Sequence, residues 1–118
     1  MKRNKRTGFT LVEIMIVVLI IGILLAIAVP NFIKARQNSR LQTIVGNLKQ
    51  IESAKEQWAM ETGQTSTAVP VQADLVPTYM KAWPTGPVTG DYLPNAVNAD
   101  PTFGGKTAAQ WKADPSSL

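Results

Sequence analysis

The sequence contains no cysteine and no histidine. Without cysteine there is no disulfide scaffold, thiolate metal site or thiol nucleophile. Without imidazole the commonest general base and metal ligand is missing as well. No acid, base and nucleophile converge among the remaining residues, so the chain reads as a non-enzyme with no catalytic residue, no metal and no cofactor. Charge is sparse, at 17% of 118 residues, and uneven in sign, with 12 Lys and Arg against 8 Asp and Glu and a net charge of +4. A pI near 9.6 bears on nucleic acid only through where the bases sit. Four of them, Lys2, Arg3, Lys5 and Arg6, precede the first apolar residues of a long run, so the basicity points to membrane orientation and no nucleic-acid partner is expected.

The mean hydropathy of 0.00 is an average of two opposite parts. From Phe9 to Val29 the only polar side chains are Thr10 and Glu13. About 20 apolar residues cross a bilayer core, and the cations before the run favour an N-terminus on the cytoplasmic side. A removable secretory signal is the competing reading, because Ala26-Ile27-Ala28 has the small-x-small form of a cleavage site. Against it, the run exceeds the roughly 7 to 15 residues of such an apolar region, and it contains an acid.

Glu13 is the informative residue. A carboxylate at the centre of a bilayer costs about 2.5–3.5 kcal/mol, so an acid inside a spanning segment is by default a functional residue that needs a partner. The competing reading has it reaching the headgroups and complementing the positive end of its own helix.

The string Gly8-Phe9-Thr10-Leu11-Val12-Glu13, preceded by Lys2-Arg3-Asn4-Lys5-Arg6 and followed by an apolar helix with Gly22 and Pro30, resembles the N-terminal signal of type IV prepilins and type II secretion pseudopilins. The resemblance covers about the first 35 residues. It implies cleavage by a membrane-embedded prepilin peptidase between Gly8 and Phe9, and N-methylation of the new Phe9 amine. It also implies that the Phe9 amine of one subunit pairs with Glu13 of another as subunits leave the inner membrane through an assembly platform to join a filament. Glycine at position 8 suits a protease that needs an extended, unhindered backbone. Pro30 removes one donor from the helical ladder and crowds the turn before it, and Gly22 weakens the same stretch, so a kink is expected in the membrane-bound subunit. The resemblance implies that the segment from Gly22 to Pro30 unwinds in a filament, the alternative being a merely bent helix. Loss of the leader would leave 8 bases against 8 acids, so the mature subunit carries little net charge to oppose packing with copies of itself.

After Pro30 the pattern becomes striped. Leu41, Ile44, Leu48, Ile51, Ala54 and Trp58 recur at steps of three and four, while Lys34, Arg36, Arg40, Lys49, Glu52, Lys55, Glu56 and Glu61 lie mostly off that stripe. This predicts an amphipathic helix running to Glu61 or Thr62 and closed by Gly63. The expected organisation is a basic leader over residues 1–8, one long helix over 9–62 with 9–29 in the membrane and 30–62 amphipathic, and a small irregular head over 63–118. A continuous helix from Phe9 to Glu61 would be roughly 80 Å long.

Prolines punctuate the C-terminal half from Pro70 to Pro115. A helical turn is expected over Asp74–Met80, a hairpin between 91–93 and 96–98, and a last helix capped by Thr107. A head this small must pack on the Leu41–Trp58 stripe, with Tyr79, Trp83, Tyr92, Phe103 and Trp111 as plugs. Many pilin heads are closed by a disulfide, which this one lacks. Gly105-Lys106-Thr107 matches only the end of a phosphate loop, with Asp100 where the first glycine belongs, so nucleotide is not expected. Asp91, Asn95, Asn98 and Asp100 offer oxygens to a hard cation, and some pseudopilin heads bind calcium in such a loop. Turn chemistry explains the same residues without a metal.

The fold class expected is therefore α+β and pilin-like, a long N-terminal helix with a small head containing a short hairpin. The function expected is a structural subunit of a pilus-like or pseudopilus filament, with other pilin-like subunits, prepilin peptidase and an inner-membrane platform as partners. The alternative is a tethered or secreted monomeric binding module, whose mature chain would begin at Val29 if the conventional signal were cut.

Overall fold

A computed structural model describes residues 8–118. The elements are a long helix α1 (Leu11–Thr62), a single-turn α2 (Gln72–Leu75), three two-residue strands β1 (Tyr92–Leu93), β2 (Thr102–Phe103) and β3 (Lys106–Thr107), and a short α3 (Ala108–Ala113). The class is α+β and pilin-like, as the sequence predicts. The chain divides into two compact units, one ending at Ala35 and the other comprising Arg36–Leu118.

In the first unit α1 continues through Pro30 without a break in its helical assignment. The large apolar side chains of this unit, from Phe9 ahead of the helix to Ile33 within it, are 48–85% exposed. Water would not tolerate so continuous an apolar surface, and by length and composition this helix is able to cross a membrane.

In the second unit the stripe does what its spacing requires. Ile44, Leu48, Ile51, Ala54 and Trp58 are buried against Leu75, Met80, Tyr92, Phe103, Trp111 and Leu118. The helix ends as Gly63 enters the left-handed region (φ 67°) and Gln64 N–H donates to Ala59 O at 3.0 Å, the six-to-one bond of a Schellman cap. The helical turn expected over Asp74–Met80 lies instead at Gln72–Leu75, and residues 76–79 follow it as a non-helical turn. At the start of the helical turn the Asp74 carboxylate accepts from Val71 N–H at 2.9 Å, holding the orphan donor that precedes it.

The sheet corrects one expectation. Tyr92–Leu93 does not pair with residues 96–98. It pairs antiparallel with β2, Tyr92 opposite Phe103, and β2 pairs in turn with β3, Phe103 opposite Lys106. The 96–98 segment instead lies against the chain after α1, where Val97 and Asn98 N–H donate to Ala68 and Ser66 carbonyls at 3.0 and 2.9 Å. The physical reason is Gly104-Gly105. Both glycines have positive φ (58° and 81°), the pairing that a two-residue hairpin turn of type I′ requires. That turn commits Phe103 to Lys106 and leaves the other edge of β2 free for Tyr92.

Phe103 is the centre of the head. It is fully buried, with its ring 4.5 Å from that of Tyr92 and 6.0 Å from that of Trp111. Trp111 Nε1 donates to Phe103 O at 2.9 Å, and Lys106 Nζ lies 4.8 Å over the Trp111 ring. A Cβ on Gly86 would stand 2.4 Å from the Phe103 ring, and one on Gly90 3.0 Å from it, so these two glycines are required by the ring's position. Tyr79 and Trp83 pack against this core while partly exposed. Thr107 caps α3 as expected, its hydroxyl accepting from Gln110 N–H while Gln110 Oε1 accepts from Thr107 N–H at 2.8 Å. The Gly-Lys-Thr string is thus a hairpin turn, a strand residue and a helix cap.

Candidate functional site

Among the described residues Gly8 and Phe9 come ahead of the helix, and Thr10 is the residue that opens it. Thr10 Oγ1 accepts from Glu13 N–H at 3.2 Å, and Glu13 Oε2 accepts from Thr10 N–H at 3.4 Å. This reciprocal pair is a capping box, which satisfies two of the donors that a helix N-terminus leaves orphaned. Phe9 then stands just outside the cap, 85% exposed, and lines one shallow cleft with Glu13, Ile14, Ile16 and Val17.

The geometry brings two of the expected assembly residues, Phe9 and Glu13, to one end of one helix. Glu13 is held in a defined orientation and remains exposed. Its carboxylate is the one acid on α1 between Leu11 and Arg36, and it sits where the helix dipole favours negative charge. What the arrangement can do is accept a cation from outside the chain while its own helix end stays capped, because a carboxylate has acceptor positions to spare. Thr10 is not among the residues to which composition or hydropathy gives a role. Thr-x-x-Glu directly before an apolar run is the signal that identifies it.

Gly22 and Pro30 both lie within α1 and are exposed. A Cβ on Gly22 would meet nothing within 4 Å, so nothing inside the chain demands glycine there. Pro30 contributes no backbone donor to the ladder. Lys2, Arg3, Lys5 and Arg6 of the expected leader lie outside the described residues.

A second polar feature lies in the other unit. Lys55 is fully buried, although the sequence reading placed it among the charges mostly off the stripe. Its Nζ donates to the Ala96 and Ala99 carbonyls at 2.9 and 2.6 Å. The signal was present in the spacing, since Ile51, Lys55 and Trp58 follow the same steps of four and three as the apolar residues. Burial pushes the Lys55 ammonium below its ordinary pKa, with Glu52, Asp100 and Glu56 acting in the opposite direction. Nearby, Asn47 Nδ2 donates to the Tyr92 hydroxyl at 2.9 Å. Burial raises the Tyr92 pKa, and the Asn47 bond partly offsets this.

Residues 3–29 match the family model described as a prokaryotic N-terminal methylation motif. Over 106 residues the chain is 31% identical to the type II secretion system core protein G of Klebsiella michiganensis, covering 78% of this chain and 75% of that protein. It is 29% identical over 104 residues to the protein of the same description from Escherichia coli, covering 76% and 72%. Over 64 residues it is 48% identical to the type IV major pilin protein PilA of Myxococcus xanthus, covering 54% of this chain and 28% of that protein. No solved structure gives a match of comparable significance.

Proposed function

Because the chain belongs to the family of type IV pilins and type II secretion pseudopilins, we propose that it is a structural filament subunit that works by the pairing of its own N-terminus with Glu13 of a neighbour. The pseudopilus is the better-supported filament. The likeness to core protein G extends over three quarters of that protein, whereas the likeness to the Myxococcus pilin covers little more than a quarter of it.

The observation that carries the reading is one exposed acid at the start of α1, in the stretch up to Ile33 whose large apolar side chains are all exposed. In this proposal prepilin peptidase cuts between Gly8 and Phe9 on the cytoplasmic side of the inner membrane. Cutting exchanges a neutral amide for an amine at Phe9, which is then methylated and stays cationic. Residues 9–29 hold the single-pass subunit in the membrane. A Glu13 carboxylate and a neighbour's Phe9 amine, both in a medium of low dielectric, attract strongly, and either one left alone there is costly. Pairing therefore draws a subunit toward the growing filament on the assembly platform, and the apolar surface of α1 is covered by copies of itself. Gly22 and Pro30 mark where the helix yields as subunits pack. The protein has no catalytic role in this scheme.

The test is the mass of the mature N-terminal peptide. A chain beginning at N-methyl-Phe9 is expected from cells that carry the peptidase. A chain that begins at Val29, or that retains the leader in those cells, would overturn the proposal and favour a conventional signal on a monomeric module.

A further inference from the structure

The loop from Asn95 to Asp100 gathers oxygen atoms of the kind a hard cation takes, and some heads of this family bind calcium in such a loop. The residues present do not fit that ion. Two of the loop carbonyls, those of Ala96 and Ala99, already accept from Lys55 Nζ at 2.9 and 2.6 Å. The Asn95 side chain presents its amide nitrogen, donating to Asp100 O at 2.9 Å and to Thr102 Oγ1 at 3.3 Å. Among the described residues no three carboxylates converge as ligands. A divalent ion placed against the same carbonyls would also meet the ammonium at close range, where like charges repel strongly.

We propose that Lys55 is the internal cation of this loop: its ammonium, tethered to α1, gathers the Ala96 and Ala99 carbonyls as a bound metal would, and closes the head without one. The placement explains several features together. Asn95 adopts φ 58°, in the left-handed region that asparagine tolerates, and turns the chain so that the two carbonyls face inward. On the other side of the loop, Val97 and Asn98 are fixed by their bonds to Ala68 and Ser66. Lys55 thus ties α1 to the 95–100 loop, and the loop's own backbone bonds tie in the chain that follows α1, with no disulfide among the three segments. Glu52 and Glu56 on α1 and Asp100 on the loop favour its charged form, so the buried charge is compensated from both sides.

The experiment follows the thermal unfolding of the full chain in detergent micelles by near-ultraviolet circular dichroism of the buried Trp58 and Trp111. The wild-type midpoint is expected to be the same in millimolar calcium as in excess chelator, and a calcium-dependent rise would overturn the proposal. Lys55→Met keeps the length and apolar stem but leaves two carbonyls without their donor, so a fall on the order of 10 °C is expected. An unchanged midpoint would overturn the proposal. Lys55→Ala is expected to regain part of its loss in methylammonium chloride relative to the same concentration of sodium chloride. A folded Lys55→Ala with no such gain counts against it. If neither variant folds, the calcium comparison on the wild type still decides.

Discussion

Glu13→Ala is expected to leave cleavage at Gly8 intact and to reduce assembled filament by at least about tenfold. The expectation follows from what each partner loses. Truncating one member of a pair in a low-dielectric site costs about 3–5 kcal/mol, because the remaining charge is stranded, and each 1.4 kcal/mol is a factor of ten in an equilibrium. The capping box supplies the control. Glutamine at the third helical position completes such a box as glutamate does, so Glu13→Gln keeps the carbonyl oxygen that accepts from Thr10 N–H and loses only the charge. If Glu13 served only to cap its own helix, Glu13→Gln would assemble like the wild type. If it pairs with an amine, Glu13→Gln fails nearly as completely as Glu13→Ala. Filament recovered from sheared cells and compared with total processed subunit reads the difference.

Phe103→Ala is expected to unfold the Arg36–Leu118 unit at physiological temperature while leaving membrane insertion and processing unaffected. Removing a fully buried phenylalanine costs about 3–5 kcal/mol, a large share of the roughly 5–15 kcal/mol that holds a domain together, of which a small head has the lower end. Here the loss is compounded, because Tyr92 and Trp111 pack on the ring and Gly86 and Gly90 leave no side chain to fill the void. Near-ultraviolet circular dichroism and limited proteolysis should show loss of tertiary structure. Leu93→Ala, on the exposed side of β1, should melt within a few degrees of the wild type, since surface truncations usually change stability by no more than about 0.5 kcal/mol.

Much of this architecture is legible in the residues, because apolar periodicity and caps are local signals. The Leu41–Trp58 stripe, the Gly63 stop and the Thr107 cap each depend on a few neighbouring side chains and appear where their spacing predicts. The sheet was less legible because strand pairing is decided at a distance. Asp91–Leu93 and Ala96–Asn98 are close in sequence and invite a hairpin, yet the stronger turn is Gly104-Gly105, whose positive φ values favour glycine at both positions. Lys55 was hidden by residue type. A lysine on an apolar step is ordinarily read as solvated, and only the inward carbonyls of Ala96 and Ala99, far along the chain, make its burial tolerable. At the N-terminus the acid was legible and its cap was not, since Thr10 looks like a minor polar interruption until Glu13 is seen bonded to it.

The most direct test of the filament mechanism is a reconstruction of the assembled fibre at a resolution that shows side chains. The Phe9 amine of one subunit is expected within about 4 Å of the Glu13 carboxylate of a neighbour, the range of an ion pair. A fibre in which Glu13 bonds only its own Thr10, with the Phe9 amine directed elsewhere, would contradict the pairing.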